Sequence, residues 1–108
     1  MRRTLVALAL GLACAHVAAQ TDALARARAA VERQDYPTAL AAYGAALAAR
    51  GDDADLLIEV ARVQGWADRN TDAARLYRRA LQVAPGRRAD VLPSLAWQTL
   101  WSGDAAAA

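Results

Sequence analysis

The chain has 108 residues, the scale of one small domain, and its 56% hydrophobic content is mostly alanine: 31 alanines against no phenylalanine, three tryptophans and three tyrosines. Alanine is the best helix former and a poor core filler, so the composition asks for an all-α fold packed closely through small residues, and the sparse strand formers exclude an all-β one. The net charge of +2 comes from 13 arginines against 11 acids; setting aside Arg2 and Arg3 of an expected leader leaves 11 against 11, which excludes a charge-driven nucleic-acid binder.

The first segment, 1–19, reads as an export signal. Met1-Arg2-Arg3 is a short positive start, Thr4 to Ala13 is apolar, and Val17-Ala18-Ala19 places small residues before a cleavage site after Ala19. The run is too short to span a bilayer, so no integral membrane span is expected, and the localisation implied is periplasmic or secreted. Cys14 offers lipidation as a second route to the envelope. Gly11 stands where a lipoprotein signal wants a branched apolar residue, so the cysteine is expected to leave with the leader. The lone histidine, His16, leaves with it. The mature chain then holds no thiol and no imidazole, which excludes a disulfide framework, a Cys/His zinc site, a nucleophile paired with histidine, and histidine-ligated haem. No cofactor, no metal and no enzymatic activity are expected, since a glycine-rich phosphate loop is missing too.

Five helices are expected in chain order. Thr21-Asp22 starts the first, which runs to about Arg33. Asp35 caps the second, with Pro37 in its first turn and Arg50-Gly51 at its end. Asp52 or Asp53 caps the third, ending near Ala67; Asn70 or Thr71 caps the fourth, which stops before Pro85-Gly86. Asp90 caps the fifth, with Pro93 in the first turn and Gly103 as its stop. Asp52, Asp53 and Asp55 lack the glycine and closing glutamate of a calcium loop and read as helix-start residues.

The segments repeat. Moving residues 20–53 by 34 places Ala27 on Ala61, Ala39 on Ala73, Tyr43 on Tyr77, Ala46 on Ala80 and Leu47 on Leu81. Moving 54–73 by 35 places Asp55 on Asp90, Leu57 on Leu92, Ala61 on Ala96 and Trp66 on Trp101. The extra residue falls in the Pro85-Gly86-Arg87-Arg88 turn, where an insertion does least harm. This period, with small residues at mid-helix, an aromatic in the second helix and Pro85 at a repeat end, resembles the tetratricopeptide repeat (TPR). The first copy departs from it where Gly51 replaces the closing proline. The resemblance implies a TPR-like α-solenoid of about two and a half repeats, with units at 20–53 and 54–87 and a partial third at 88–108. The third unit reads either as a capping helix or as the start of a longer array. The apolar Leu92, Leu95, Trp97, Leu100 and Trp101 favour the second, because a cap is polar outside.

In this family the first helices of successive repeats line a concave groove that holds a peptide or a partner's helix. The resemblance places there Leu24, Arg28, Val31 and Glu32; Asp55, Ile58, Glu59, Arg62 and Trp66; and Asp90, Trp97 and Trp101. Trp66 and Trp101 read either as aromatic platforms or, as is commoner at helical spacing, as packing. Arg28, Glu59 and Arg62 offer charges to a partner's carboxylate, although such residues more often form a solvated face. Arg75, Arg78, Arg79, Arg87 and Arg88 are basic, but Asp68, Asp72 and Asp90 lie beside them, which argues for a solvated face. The expected occupant is a protein or peptide partner in the cell envelope. Leu95-Ala96-Trp97 and Trp101-Ser102-Gly103 also resemble stretches in the periplasmic regions of exopolysaccharide export and biofilm proteins, which implies a polysaccharide alternative.

Overall fold

A computed structural model describes residues 19 and 21–103. The expected leader lies outside the described residues save for Ala19, as do the last residues of the partial third repeat. The described chain is all-helical. Helix α1 covers 21–32, α2 Tyr36–Ala49, α3 Ala54–Trp66 and α4 Asn70–Val83; a 3-10 turn at Pro85–Arg87 then leads into α5, Arg88–Trp101. Each helix packs on its neighbour in chain order. The short connections turn each one back along the last, giving antiparallel neighbours. No helix among the described residues is long and apolar enough to cross a membrane.

Side-chain caps set two of the helix starts. The Thr38 N–H donates to Asp35 Oδ1 at 3.3 Å, and the Leu56 N–H donates to Asp53 Oδ1 at 3.2 Å. Two other expected caps are corrected. Arg69, with no side-chain bond, stands at the N-cap of α4, and Asn70 is already helical. At α5 the 3-10 turn runs straight into the helix, so Asp90 sits inside the first turn and Pro93 in the helix body, one turn further in than expected. A proline there removes a hydrogen bond to the Ala89 carbonyl; both residues are exposed, so water can take the freed acceptor.

The turn inside each helix pair recurs in detail. Gln34 and Asp68 adopt the left-handed conformation at φ 58° and 60°, and Gly103 does so at φ 81°. Around Gln34, its N–H donates to the Val31 carbonyl (2.8 Å) and the Asp35 N–H to the Ala30 carbonyl (2.9 Å). Around Asp68, the same bonds run from Asp68 to Gly65 (3.1 Å) and from Arg69 to Gln64 (2.8 Å). This is the Schellman closure, which satisfies the last carbonyls of a helix. The left-handed residues fall at the same offsets of 34 and 35 that relate the sequence repeats.

The core forms as two successive clusters. Ala27 and Ala30 of α1, Ala39, Tyr43 and Ala46 of α2, and Leu56, Val60 and Val63 of α3 make the first. Leu57, Ile58 and Ala61 of α3, Ala73, Tyr77 and Ala80 of α4, and Val91 of α5 make the second. Every alanine that the 34-residue shift superposes is at most 2% exposed. The missing side-chain volume lets the backbones approach, and one tyrosine in each cluster fills the wedge where three helices meet. The third helix of each set contributes to the core from its own unit's side, so α3 is apolar on two faces. Beyond α5 nothing described covers Leu92, Leu100, Trp97 and Trp101, which are exposed, whereas Leu95 packs against the second cluster.

Candidate binding groove

Helices α1, α3 and α5 line two adjacent clefts. The first, of about 220 Å³, lies between α1 and α3 and is lined by Arg28, Val31, Tyr43, Glu59, Arg62, Val63 and Trp66. Its floor is a closed polar unit. Arg28 donates to Glu59 from Nε (3.1 Å) and Nη2 (2.9 Å), and the Tyr43 hydroxyl donates to Glu59 Oε2 at 2.5 Å. Partial burial pushes the Glu59 carboxyl up, but the bonds from Arg28 and Tyr43 more than offset this and hold it below the ordinary glutamate value. Burial, then the bond to Glu59, pushes the Tyr43 phenol far up, while Glu59 raises the Arg28 pKa further. Both shifts favour the same pair of states, an ionised Glu59 and a neutral Tyr43.

The second cleft, of about 390 Å³, lies between α3 and α5 and is lined by Arg62, Gly65, Trp66, Tyr77, Pro93, Ser94, Trp97 and Gln98. Arg62 and Trp66 belong to both clefts, so the two form one surface. They are also related by the repeat. The 34- and 35-residue offsets carry Arg28 onto Arg62, Val31 onto Gly65, Tyr43 onto Tyr77, Glu59 onto Ser94, Arg62 onto Trp97 and Val63 onto Gln98, and each of these lines the second cleft.

What changes between them is size and charge. The apolar pair Val31 and Val63 becomes Gly65 and Gln98. The Gln98 carboxamide lies against Gly65, and a Cβ there would meet its end and make it shift. Gln98 is 9% exposed, and its Oε1 is buried without a hydrogen-bond partner. Ser94 replaces the carboxylate, and among the described residues Arg62 forms no ion pair and the Tyr77 hydroxyl no hydrogen bond.

The expected groove residues divide accordingly. Arg28, Glu59, Arg62, Trp66 and Trp97 come together along the two clefts, with Val31 beside them. Leu24 packs partly buried against the first cluster, and Ile58 is buried in the second, so neither presents its side chain to a groove. Glu32 is exposed and lines neither cleft. Asp55 and Asp90 lie at the other ends of α3 and α5, where both pair with Arg87, the Asp90 contact at 2.8 Å. Arg87 is held above its usual pKa by the bonds to Asp55 and Asp90.

Trp101 tilts against Trp97, with ring centroids 5.6 Å apart, while Trp66 meets Tyr36 at 6.2 Å; the two repeat-related tryptophans thus have different partners. Asp52, Asp53 and Asp55 turn to Arg79, the α3 N-terminus and Arg87 respectively. Of the basic stretch, Arg75 meets Asp72 at 3.6 Å, an acid that Arg69 also reaches at 3.7 Å, and Arg79 meets Asp52. Gly65, Tyr77, Ser94 and Gln98 were absent from the sequence-derived groove. The repeat offsets point to all four once the first cleft's lining is known. No protein-family model, curated protein or solved structure matches the chain.

Proposed function

We propose that the chain is an exported, TPR-like protein-interaction module that holds a segment of a partner protein of the cell envelope in the groove formed by α1, α3 and α5. The observation that carries this reading is the recurrence of one lining pattern in two adjoining clefts that share Arg62 and Trp66. A surface repeated along a row of helices suits an extended or helical segment, which presents side chains at regular intervals. Left-handed turn residues at the repeat offsets support the solenoid reading, and the export reading rests on the sequence of 1–19.

The test is affinity capture from envelope extract with the wild-type chain and with an R62A/W66A variant that keeps its helical circular dichroism. Partners retained by the first and lost by the second are expected. Equal recovery by both would overturn the reading.

A second reading, a periplasmic segment of an exopolysaccharide export or biofilm protein, draws on one observation: half-exposed Trp66 and Trp97 line the same cleft as Arg62, a combination suited to a sugar ring. Tryptophan fluorescence titrated with acidic and amino-sugar oligosaccharides tests it, and an unchanged spectrum at millimolar ligand would exclude it.

A further inference from the structure

The two clefts hold the same cationic and phenolic groups but only one holds an anion. Between α1 and α3, the Arg28 guanidinium and the Tyr43 hydroxyl converge on the Glu59 carboxylate. Between α3 and α5, Arg62 and Tyr77 stand at the equivalent places, and a short hydroxymethyl group, Ser94, stands where the carboxylate was. The space is correspondingly open, at about 390 Å³ against about 220 Å³. Glu59 is near enough for the Arg62 charge to help hold its carboxyl down, but its two oxygens are bonded by Arg28 and it forms no ion pair with Arg62.

We infer that the α3–α5 cleft receives the carboxylate of a glutamate or aspartate side chain from a partner polypeptide, which takes the place that Glu59 fills one repeat earlier. This rests on the groove reading above and names what the groove selects. A guanidinium and a phenol donate hydrogen bonds, so the missing member must accept them and is best negatively charged. The neighbouring cleft shows these groups satisfied by a glutamate carried on a helix. That favours a polypeptide over a sugar acid, and Trp66 and Trp97 offer apolar faces to the residues on either side of the acid.

The experiment monitors the tryptophan fluorescence of the full chain with two blocked tripeptides, acetyl-Leu-Glu-Leu-amide and its glutamine counterpart. The glutamate peptide is expected to bind about tenfold more tightly, the scale of a hydrogen bond to a charged group. R62Q, an exposed position, should erase that preference while keeping the helical spectrum. S94E supplies the carboxylate internally and should abolish binding while raising Tm. Equal binding of the two peptides, or a preference that survives in R62Q, overturns the inference and leaves the groove reading standing if affinity capture still depends on Arg62 and Trp66. A response to oligogalacturonate that requires Arg62, with none to either peptide, also overturns it. Failure of both peptide binding and affinity capture removes the groove reading as well.

Discussion

Arg28 and Arg62 occupy the same place in successive helix junctions, and only Arg28 is paired. Its guanidinium bonds Glu59 at 2.9 and 3.1 Å, while Arg62 faces a cleft with serine in the acid's position. One junction is closed within the chain and the next is left open, although both come from the same repeat.

The closed junction depends more on the acid than on the base. Arg28 is mostly solvated, with its side chain 58% exposed, so R28A should cost only about 0.5 to 1 kcal/mol. E59A leaves the Tyr43 hydroxyl in the core without its acceptor and should cost about 1 to 3 kcal/mol. Urea denaturation of both variants measures the order. A larger loss in R28A would mean that the ion pair, and not the buried phenol, sets the energy.

The same groups fix the pH range of stability. Glu59 has its pKa lowered in the folded state, so its contribution is present above the ordinary glutamate value of 4.5 and is lost as pH falls through the lower folded value. Tyr43 has its pKa raised, so its contribution is present below the ordinary value of 10.0 and declines as pH rises past it. Thermal midpoints should therefore fall on both sides of a plateau. In an E59Q variant the acid-side fall should shrink. Midpoints that fall equally in wild type and E59Q below pH 4.5 would assign the acid limit to other carboxylates.

The left-handed turns admit improvement at one position more than the other. Gln34 and Asp68 share the conformation, but a short polar side chain such as Asp tolerates it better than Gln. Q34G should stabilise the chain by about 1 kcal/mol, and D68G by less. Differential calorimetry of the two variants checks the order, and a destabilised Q34G would show that its side chain holds the turn by contacts.

Gln98 is a stability cost placed beside the open cleft. Its Oε1 is buried without a partner, a situation worth about 1 to 3 kcal/mol against the fold. Q98L keeps the volume, removes the unmet acceptor and should raise stability by about 1 kcal/mol. An unchanged or lower Tm would mean that the carboxamide is satisfied in solution.

Much of the architecture was legible along the chain. Alanines and tyrosines at fixed offsets announced which residues face inward, because a stacked helix pair needs small residues at its crossings and a large one at its wedge. Asp35, and the Asp52-Asp53 pair of which Asp53 is the cap, announced their helix starts because a carboxylate accepts from the first free N–H groups whatever the surroundings. The α4 and α5 starts were misplaced for the converse reason. At α4 the same left-handed turn that precedes Asp35 delivers Arg69 to the cap position, where no carboxylate marks it. At α5 the 3-10 turn delivers a chain already coiled, so Arg87 holds a position that no side chain recommends.

The composition and the repeat thus determined by themselves that the chain is helical, which alanines are interior and roughly where each helix runs, since these come from local hydrogen bonding and side-chain size. Only the tertiary structure decided which charges meet. Glu59 is 31 residues from Arg28 and 16 from Tyr43, and their closure depends on how three helices lean together. The same leaning placed Ser94 and Gln98 across from Arg62 and left that guanidinium facing open space, because pairing between distant side chains is set by packing geometry that no local pattern encodes.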